Sequence, residues 1–344
     1  MSNRVCYVPI LKAKQSECIA LGHLDANIKP LIIPLFELQP RESDGLLNRT
    51  VGQIERNWEK HLPLFLDMDR KYLSESPNEA IHNLLCTLQR VYPKGYNFVP
   101  VTGINRSNAY QNALLSIYNA KFGICFRLVN EDLLQPSELN HKLGELKAYF
   151  KANLNQVDLL LDFGAFLPSQ SGIIATLTEV IVNDINHIND YRRLVFSATA
   201  FPANPQGAPN SINTVPREEW RIWEALKKNT RLKRLPLFSD YTIVYPVFPE
   251  LDFSRVRIAP KIKYATKNEW LFIRGKKGDW PGFKDICQLL VQQPQYSGAS
   301  FSWGDEYINQ CASSIEDAGN PQRWVTIGIN HHLTLVVRQC SSLP

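Results

Sequence analysis

Short apolar runs alternate along this chain with longer segments of helical period. The runs are Val5–Leu11, Leu31–Leu38, Pro63–Asp67, Phe98–Thr102, Gly123–Leu128, Val157–Phe163, Leu194–Ala198 and Tyr241–Tyr245. Several are continuously apolar, the pattern of strands buried on both faces, and parallel α/β sheets bury both faces. Between them, helical spacing predicts helices over Gln15–Leu24, Val51–His61, Pro77–Val91, Asn108–Ala120, Gln135–Leu154 and Gly172–Asp190. Val215–Thr230 begins with Pro216, Glu218 and Glu219 and ends in Lys227 and Lys228, which suits the helix dipole at both ends. Strand–helix alternation predicts a parallel sheet. Eight strands, with GxGxxG after none of them, favour a closed (β/α)8 TIM-type barrel over an open doubly wound sheet.

The pattern changes after the eighth run. Ala259–Ala265 and Glu269–Arg274, separated by Thr266–Asn268, read as a β-hairpin, and Gly275–Gly282 reads as a loop. Phe283–Gln292, Ser300–Glu316 and Trp324–Cys340 read as helices. The expected organisation is a barrel over residues 1–250 and a C-terminal β-hairpin and helical extension over 251–344 that packs on it. A small separate domain is the alternative.

At 344 residues, 44% hydrophobic and 21% charged, the chain is not expected to be disordered. Its net charge of +5 is mild. The densest basic groups are Lys227, Lys228, Arg231, Lys233 and Arg234, then Lys261, Lys263, Lys267, Arg274, Lys276 and Lys277. They read first as a solvated helix end and hairpin, and second as contacts to an anion. Seven scattered cysteines without a CxxC pair read as free thiols in a reducing compartment. Neither a secretory signal nor an apolar run near membrane-spanning length is evident. The expectation is a cytoplasmic protein with no membrane partner.

In barrels of this class chemistry gathers where strands end. That rule selects Lys12 and Lys14, Glu37, Asp67 and Asp69, Thr102 and Arg106, Arg127, Asp162, Ser197 and Thr199, and Asp240 and Tyr245. Lys12 and Lys14, like Asp67 and Asp69, share a face if their strands continue that far. Lys12, Glu37, Asp67 and Asp162 are the catalytic candidates. Lys14, Asp69, Arg127, Ser197 and Tyr245 are the ligand-binding candidates. Buried charge must be paired, so these groups neutralise one another or a ligand. The bland alternative is a rim of structural salt bridges and loop caps, with the hydroxyls satisfying backbone groups. The carboxylates could hold Mg²⁺, but Lys12, Lys14 and Arg127 could neutralise them instead, so no metal is assigned and the cofactor stays unknown. No histidine stands at a strand end, which argues against zinc. His331 and His332 point about 100° apart on a helix. A structural role is favoured over acid–base work, with one ring facing the barrel and the other solvent. GxSxG and P-loop patterns are absent.

Several segments together resemble the beta protein family of phage and bacterial genomes. They are Tyr7-Val8-Pro9-Ile10-Leu11-Lys12-Ala13-Lys14 with Glu17, then Pro34-Leu35-Phe36-Glu37, and Phe238-Ser239-Asp240-Tyr241. Further on come Lys263-Tyr264, Trp270, Arg274-Gly275, Gly304-Asp305, Trp324 and His331-His332. Ser16 stands where the family is expected to have Gly. The resemblance implies a shared globular fold and a phage or phage-defence association, with no established activity. The expected function is binding of an anionic nucleotide or phosphorylated small molecule in the strand-end mouth, with hydrolysis or cleavage in view. One alternative is a non-enzymatic component that binds a protein partner in a phage defence or counter-defence locus. Another is a nucleic-acid-binding accessory using the basic hairpin around Lys263–Lys277.

Overall fold

The computed structural model describes residues 5–39, 44–205, 207–246, 259–276, 280 and 282–341. Eight parallel strands close into a barrel. In chain order they are β1 (Tyr7–Leu11), β2 (Leu35–Leu38), β3 (Leu64–Met68), β4 (Phe98–Thr102), β5 (Ile124–Val129), β6 (Val157–Ala165), β7 (Arg193–Thr199) and β9 (Leu237–Asp240). The last strand pairs with both β7 and β1, which closes the ring. This is the (β/α)8 TIM-type architecture that the apolar periodicity predicts.

Strand alternation explains the two apolar layers. Outward positions such as Phe36, Leu66, Phe126, Leu161 and Phe196 join the large core beneath the helices. Inward positions form a small core of Val8, Ile10, Leu35, Phe65, Val101, Leu160 and Val195. One step further along several strands, the inward position turns polar: Lys12, Glu37, Asp67, Arg127, Asp162 and Ser197. Parallel strands carry these side chains to one end of the barrel.

The ring of helices is α1 (Gln15–Gly22), α2 (Asp44–Asn57), α3 (Arg70–Glu75), α4 (Pro77–Val91), α5 (Asn108–Ile117), α6 (Asn130–Leu133), α7 (Pro136–Phe150), α8 (Ser171–Asp184) and α9 (Glu218–Lys228). A second layer holds β10 (Lys261–Ala265), β11 (Glu269–Arg274), α10 (Phe283–Val291), α11 (Trp303–Ala312) and α12 (Pro321–Ser341). The antiparallel hairpin β10–β11 matches the expected one. A third strand, β8 (Ser211–Pro216), pairs with β11, so the small sheet takes a strand from the stretch between β7 and α9. The outer face of this sheet, Ile262, Tyr264, Leu271 and Ile273, packs on α10–α12. Gly328 lets α12 approach: a Cβ there would lie 2.9 Å from the Lys263 carbonyl oxygen and 2.6 Å from Ile243. Among the described residues, no helix is long and apolar enough to cross a membrane.

Two expected elements are corrected. The eighth strand is Leu237–Asp240, and Tyr241–Tyr245 forms a turn. Asp240 Oδ1 accepts from the Thr242 backbone N–H at 3.0 Å, and Thr242 adopts a left-handed φ of 55°, which ends the extended chain. The helix expected from Val215 starts at Glu218, because Val215 and Pro216 are held in β8. The expected boundary near residue 250 and Lys277 lie outside the described residues.

Candidate functional site

The polar ends of the strands converge on Arg127, 2% exposed. Its Nη1 donates to Glu37 Oε1 at 2.7 Å and to Asp67 Oδ2 at 2.8 Å. Its Nε and Nη2 donate to Asp162 Oδ2 at 2.9 and 2.6 Å, and Nη2 also reaches the Tyr241 hydroxyl at 3.0 Å. Tyr241 in turn donates to Asp162 at 2.7 Å. Beneath, Arg106 forks onto both Asp67 oxygens at 2.9 Å. Above, Lys12 forms ion pairs with Glu37 and, at 3.1 Å, with Asp69. Three cations thus face four carboxylates, in a site that few polar groups leave without a partner.

Local structure positions each member. Asp69 follows β3 as the N-cap of α3, accepting from the Lys71 N–H at 3.0 Å. Asp162 precedes an irregularity in the β6–β7 register. Gly164 takes a φ of 64° there, its N–H bonds Asp162 Oδ1 at 3.0 Å, and Gly164 and Ala165 swing into the wall of the mouth.

Above the cluster opens a cavity of about 510 Å³. It is lined by Lys12, Glu37, Asp69, Arg127 and Asp162 of the cluster, by Arg70, Lys71 and Glu75, and by the rings of Phe163, Tyr241 and Tyr245. Burial opposes the Glu37 charge, but Arg127 and Lys12 outweigh it and hold the carboxyl at about 2. Burial also opposes the Lys12 charge, and Glu37 and Asp69 outweigh it, so the ammonium lies above its ordinary range. Burial and the Asp162 carboxylate push the Tyr241 phenol well up. Among the described residues, no three His, Cys, Asp or Glu side chains are arranged to hold a metal ion. Glu37, Asp67, Asp69 and Asp162 each pair with Arg127, Arg106 or Lys12.

The structure brings Lys12, Glu37, Asp67, Asp69, Arg127 and Asp162 together, with Tyr245 on the cavity wall. It does not bring Lys14. β1 ends at Leu11 and Ala13 takes a φ of 53°, so the alternation that would align Lys14 with Lys12 is broken, and Lys14 stands exposed as the N-cap of α1. Asp67 and Asp69 separate likewise: Asp67 is fully buried against Arg127 and Arg106, and Asp69 faces the cavity. Ser197 points inward, opposite Asp162 and Ser239, but does not line the mouth. The Thr102 hydroxyl bonds Gln111 at 2.8 Å, and Thr199 accepts from the Phe201 N–H at 3.1 Å.

A second buried polar group joins the barrel to the appended layer. Tyr7 donates to Asp240 at 2.5 Å, and His332 Nε2 bonds the same carboxylate at 2.8 Å while its ring stacks on Trp270. The neighbouring ring goes elsewhere: His331 bonds Asp305 at 2.8 Å and the Ala265 carbonyl at 2.7 Å, stacked on Tyr264. Both histidines are fully buried, so His331 faces the appended layer and not solvent as expected. Trp303 stacks on His23, and Trp324 on Phe283. Arg217 and Glu219 complete the group, fully buried with Nε and Oε1 3.7 Å apart. Sequence reasoning missed both as site residues, because they read as an ordinary helix start.

A family model described as Beta protein matches residues 7–338. The chain is 23% identical over 363 residues to "Protein beta" of Enterobacteria phage P4, covering 98% of this chain and 94% of the phage protein. Among solved structures, a glucosidase from Croceicoccus marinus is similar over 58% of this chain and 55% of its own, at 13% identity and a TM-score of 0.37. The family match runs from the first barrel strand into the last helix, and this chain belongs to the Beta protein family, with a relative encoded by a phage.

Proposed function

We propose that the barrel mouth binds a small anionic ligand of the nucleotide or phosphorylated class. The observation that carries this reading is the lining of the 510 Å³ cavity, which puts carboxylates, aromatic rings and the cations Arg70 and Lys71 around one space. The cluster's cations already face its carboxylates, so the anionic end belongs with Arg70 and Lys71. There Arg70 pairs with Glu131 at 3.1 Å and Lys71 with Glu75 at 3.7 Å, both as exposed pairs. Exposed pairs contribute little, about 0–1 kcal/mol, so a phosphate can replace these partners at small cost. Ligand hydroxyls would donate to Asp69 and Asp162, and Tyr241 and Tyr245 offer a face for a ring.

The protonation states favour holding a ligand over converting it. General acid–base catalysis works best with groups that titrate near the working pH. Glu37 at about 2 stays ionised, and Lys12 stays charged. A protein partner is the second reading, favoured by Leu167 and Ile173, 67% and 61% exposed just past Ala165 of the mouth.

Thermal unfolding with a panel of nucleoside phosphates and sugar phosphates tests the proposal, and at least one class should raise the Tm. Arg70→Ala combined with Lys71→Ala should weaken that ligand about tenfold and leave the ligand-free Tm in place. If no phosphorylated compound raises the Tm, the reading fails.

A further inference from the structure

Across the β10–β11 pair, Lys261 stands directly opposite Arg274 and Lys263 opposite Phe272. Residues directly opposite, or two apart on one strand, share a face, so Lys261, Lys263 and Arg274 lie on one side of the sheet. That side turns toward the barrel: Phe272 meets Phe201 with ring centroids 5.4 Å apart, and Trp270 beyond it belongs to the barrel's outer core. All three cations are half-buried. Like charges placed directly opposite destabilise a sheet. Among the described residues, no carboxylate pairs with any of the three.

Their partners are carbonyls. Lys261 Nζ donates to the Pro205 carbonyl at 3.3 Å and Lys263 Nζ to the Ile243 carbonyl at 3.1 Å. Lys263 also lies over the Phe201 ring, 5.2 Å from its centroid. Pro205 and Phe201 follow β7, and Ile243 follows β9, so both ammonium groups reach the loops that leave the last two barrel strands. An ammonium has three donors, and among the described residues each lysine gives one of them to a carbonyl. Holding charge here is unfavourable: burial, with Lys261 adding to it, pushes the Lys263 ammonium down to about 8. An anion would offset that penalty, and the loops after the last two strands are where TIM barrels frequently hold phosphate.

We propose that Lys261, Lys263 and Arg274 form a site for one phosphate group of a small molecule, at the seam between the appended sheet and the loops after β7 and β9. It is distinct from the charged cluster in the mouth and does not depend on that cluster's ligand. The recessed lysines and the aromatic wall of Phe201 suit a compact anion better than a nucleic-acid backbone.

The test is titration of the full chain with inorganic phosphate against chloride at equal ionic strength, read by calorimetry and by Tm. Phosphate should raise the Tm where chloride does not. Lys263→Met keeps the aliphatic stem over Phe201 and removes the charge. It should weaken phosphate at least tenfold and raise the phosphate-free Tm. Lys261→Met should weaken phosphate in the same direction. Repeated in an Arg70→Ala, Lys71→Ala background, the titration reads this site without the mouth's cations: a phosphate response should remain and should be lost on adding Lys263→Met, so a failure of this site and a failure of the mouth are told apart. A wild-type chain with no phosphate-specific rise would overturn the proposal, as would a rise undiminished in both lysine variants. So would a salt-steep affinity for duplex DNA that Lys263→Met abolishes while phosphate has no effect.

Discussion

Two arginines buried to the same degree solve opposite problems. Arg127, in the mouth, donates from all three nitrogens, to Glu37, Asp67, Asp162 and Tyr241. Arg217, at the junction between barrel and appended layer, uses only Nη1, which donates to the Thr266 carbonyl and to Gln339, each at 2.9 Å. Its Nε and Nη2 find no hydrogen-bond partner among the described residues, and neither do Glu219 Oε1, Trp220 Nε1 and Trp270 Nε1 around it. The rings of Trp220 and Trp270 flank the guanidinium at 5.5 and 5.3 Å, with one carboxylate oxygen of Glu219 3.7 Å from its Nε. Charge balanced by charge pulls Glu37 to about 2; charge packed among rings leaves Glu219, raised by burial, at about 7. Near neutral pH Glu37 and Lys12 stay ionised, whereas Glu219 titrates there, so the junction responds to pH around 7.

Removing each hub tests this contrast most strongly. Arg127→Met leaves buried Asp162 without a cation, takes one of two cations from each of Glu37 and Asp67, and should cost about 4 kcal/mol, at the scale of a broken buried ion pair. Arg217→Met keeps the stem between the tryptophans, and Glu219 can take up a proton, so the expected loss is about 1–2 kcal/mol. Urea denaturation at pH 7 compares them, and equal losses would erase the distinction.

Next in size is Glu219→Gln. The folded Glu219 titrates at about 7 against an ordinary 4.5. Between those values the folded chain keeps a proton that the unfolded chain has released, so stability falls as pH rises through that window. Glu219→Gln should therefore gain on the order of 3 kcal/mol over wild type at pH 8 and little at pH 4. A gain that does not change with pH would place the effect in packing instead. Smallest is Tyr241→Phe, which deletes one hydroxyl shared by Asp162 and Arg127 and should cost about 1 kcal/mol, seen as a Tm lower by about 2 °C.

Much of the barrel was legible along the chain. Val8, Ile10 and Lys12 lie two apart, as do Leu35 and Glu37, Phe65 and Asp67, and Leu160 and Asp162, each series ending in a charge at the same end of its strand. The eighth strand was misread because Leu237–Asp240 is short and half polar, whereas the turn after it is the more apolar stretch. β8, Ser-Ile-Asn-Thr-Val-Pro, is short and only half apolar despite its β-branched Ile212, Thr214 and Val215; its ladder partner Glu269–Arg274 lies more than fifty residues downstream. Arg217 and Glu219 were hidden for a related reason: an acidic helix start looks the same exposed or buried.

The sequence by itself determined seven of the eight barrel strands, their common direction and so the end of the barrel at which the charges gather, because alternation and helical period act within a few residues. Only the tertiary structure decided that Arg127 takes three carboxylates, that Lys14 leaves the group and that His331 and His332 serve different layers. Those outcomes depend on pairs such as Glu37 with Arg127, 90 residues apart, or Tyr7 with Asp240, 233 apart. Such pairs meet only when the ring closes, and no local pattern encodes which buried charge finds which partner.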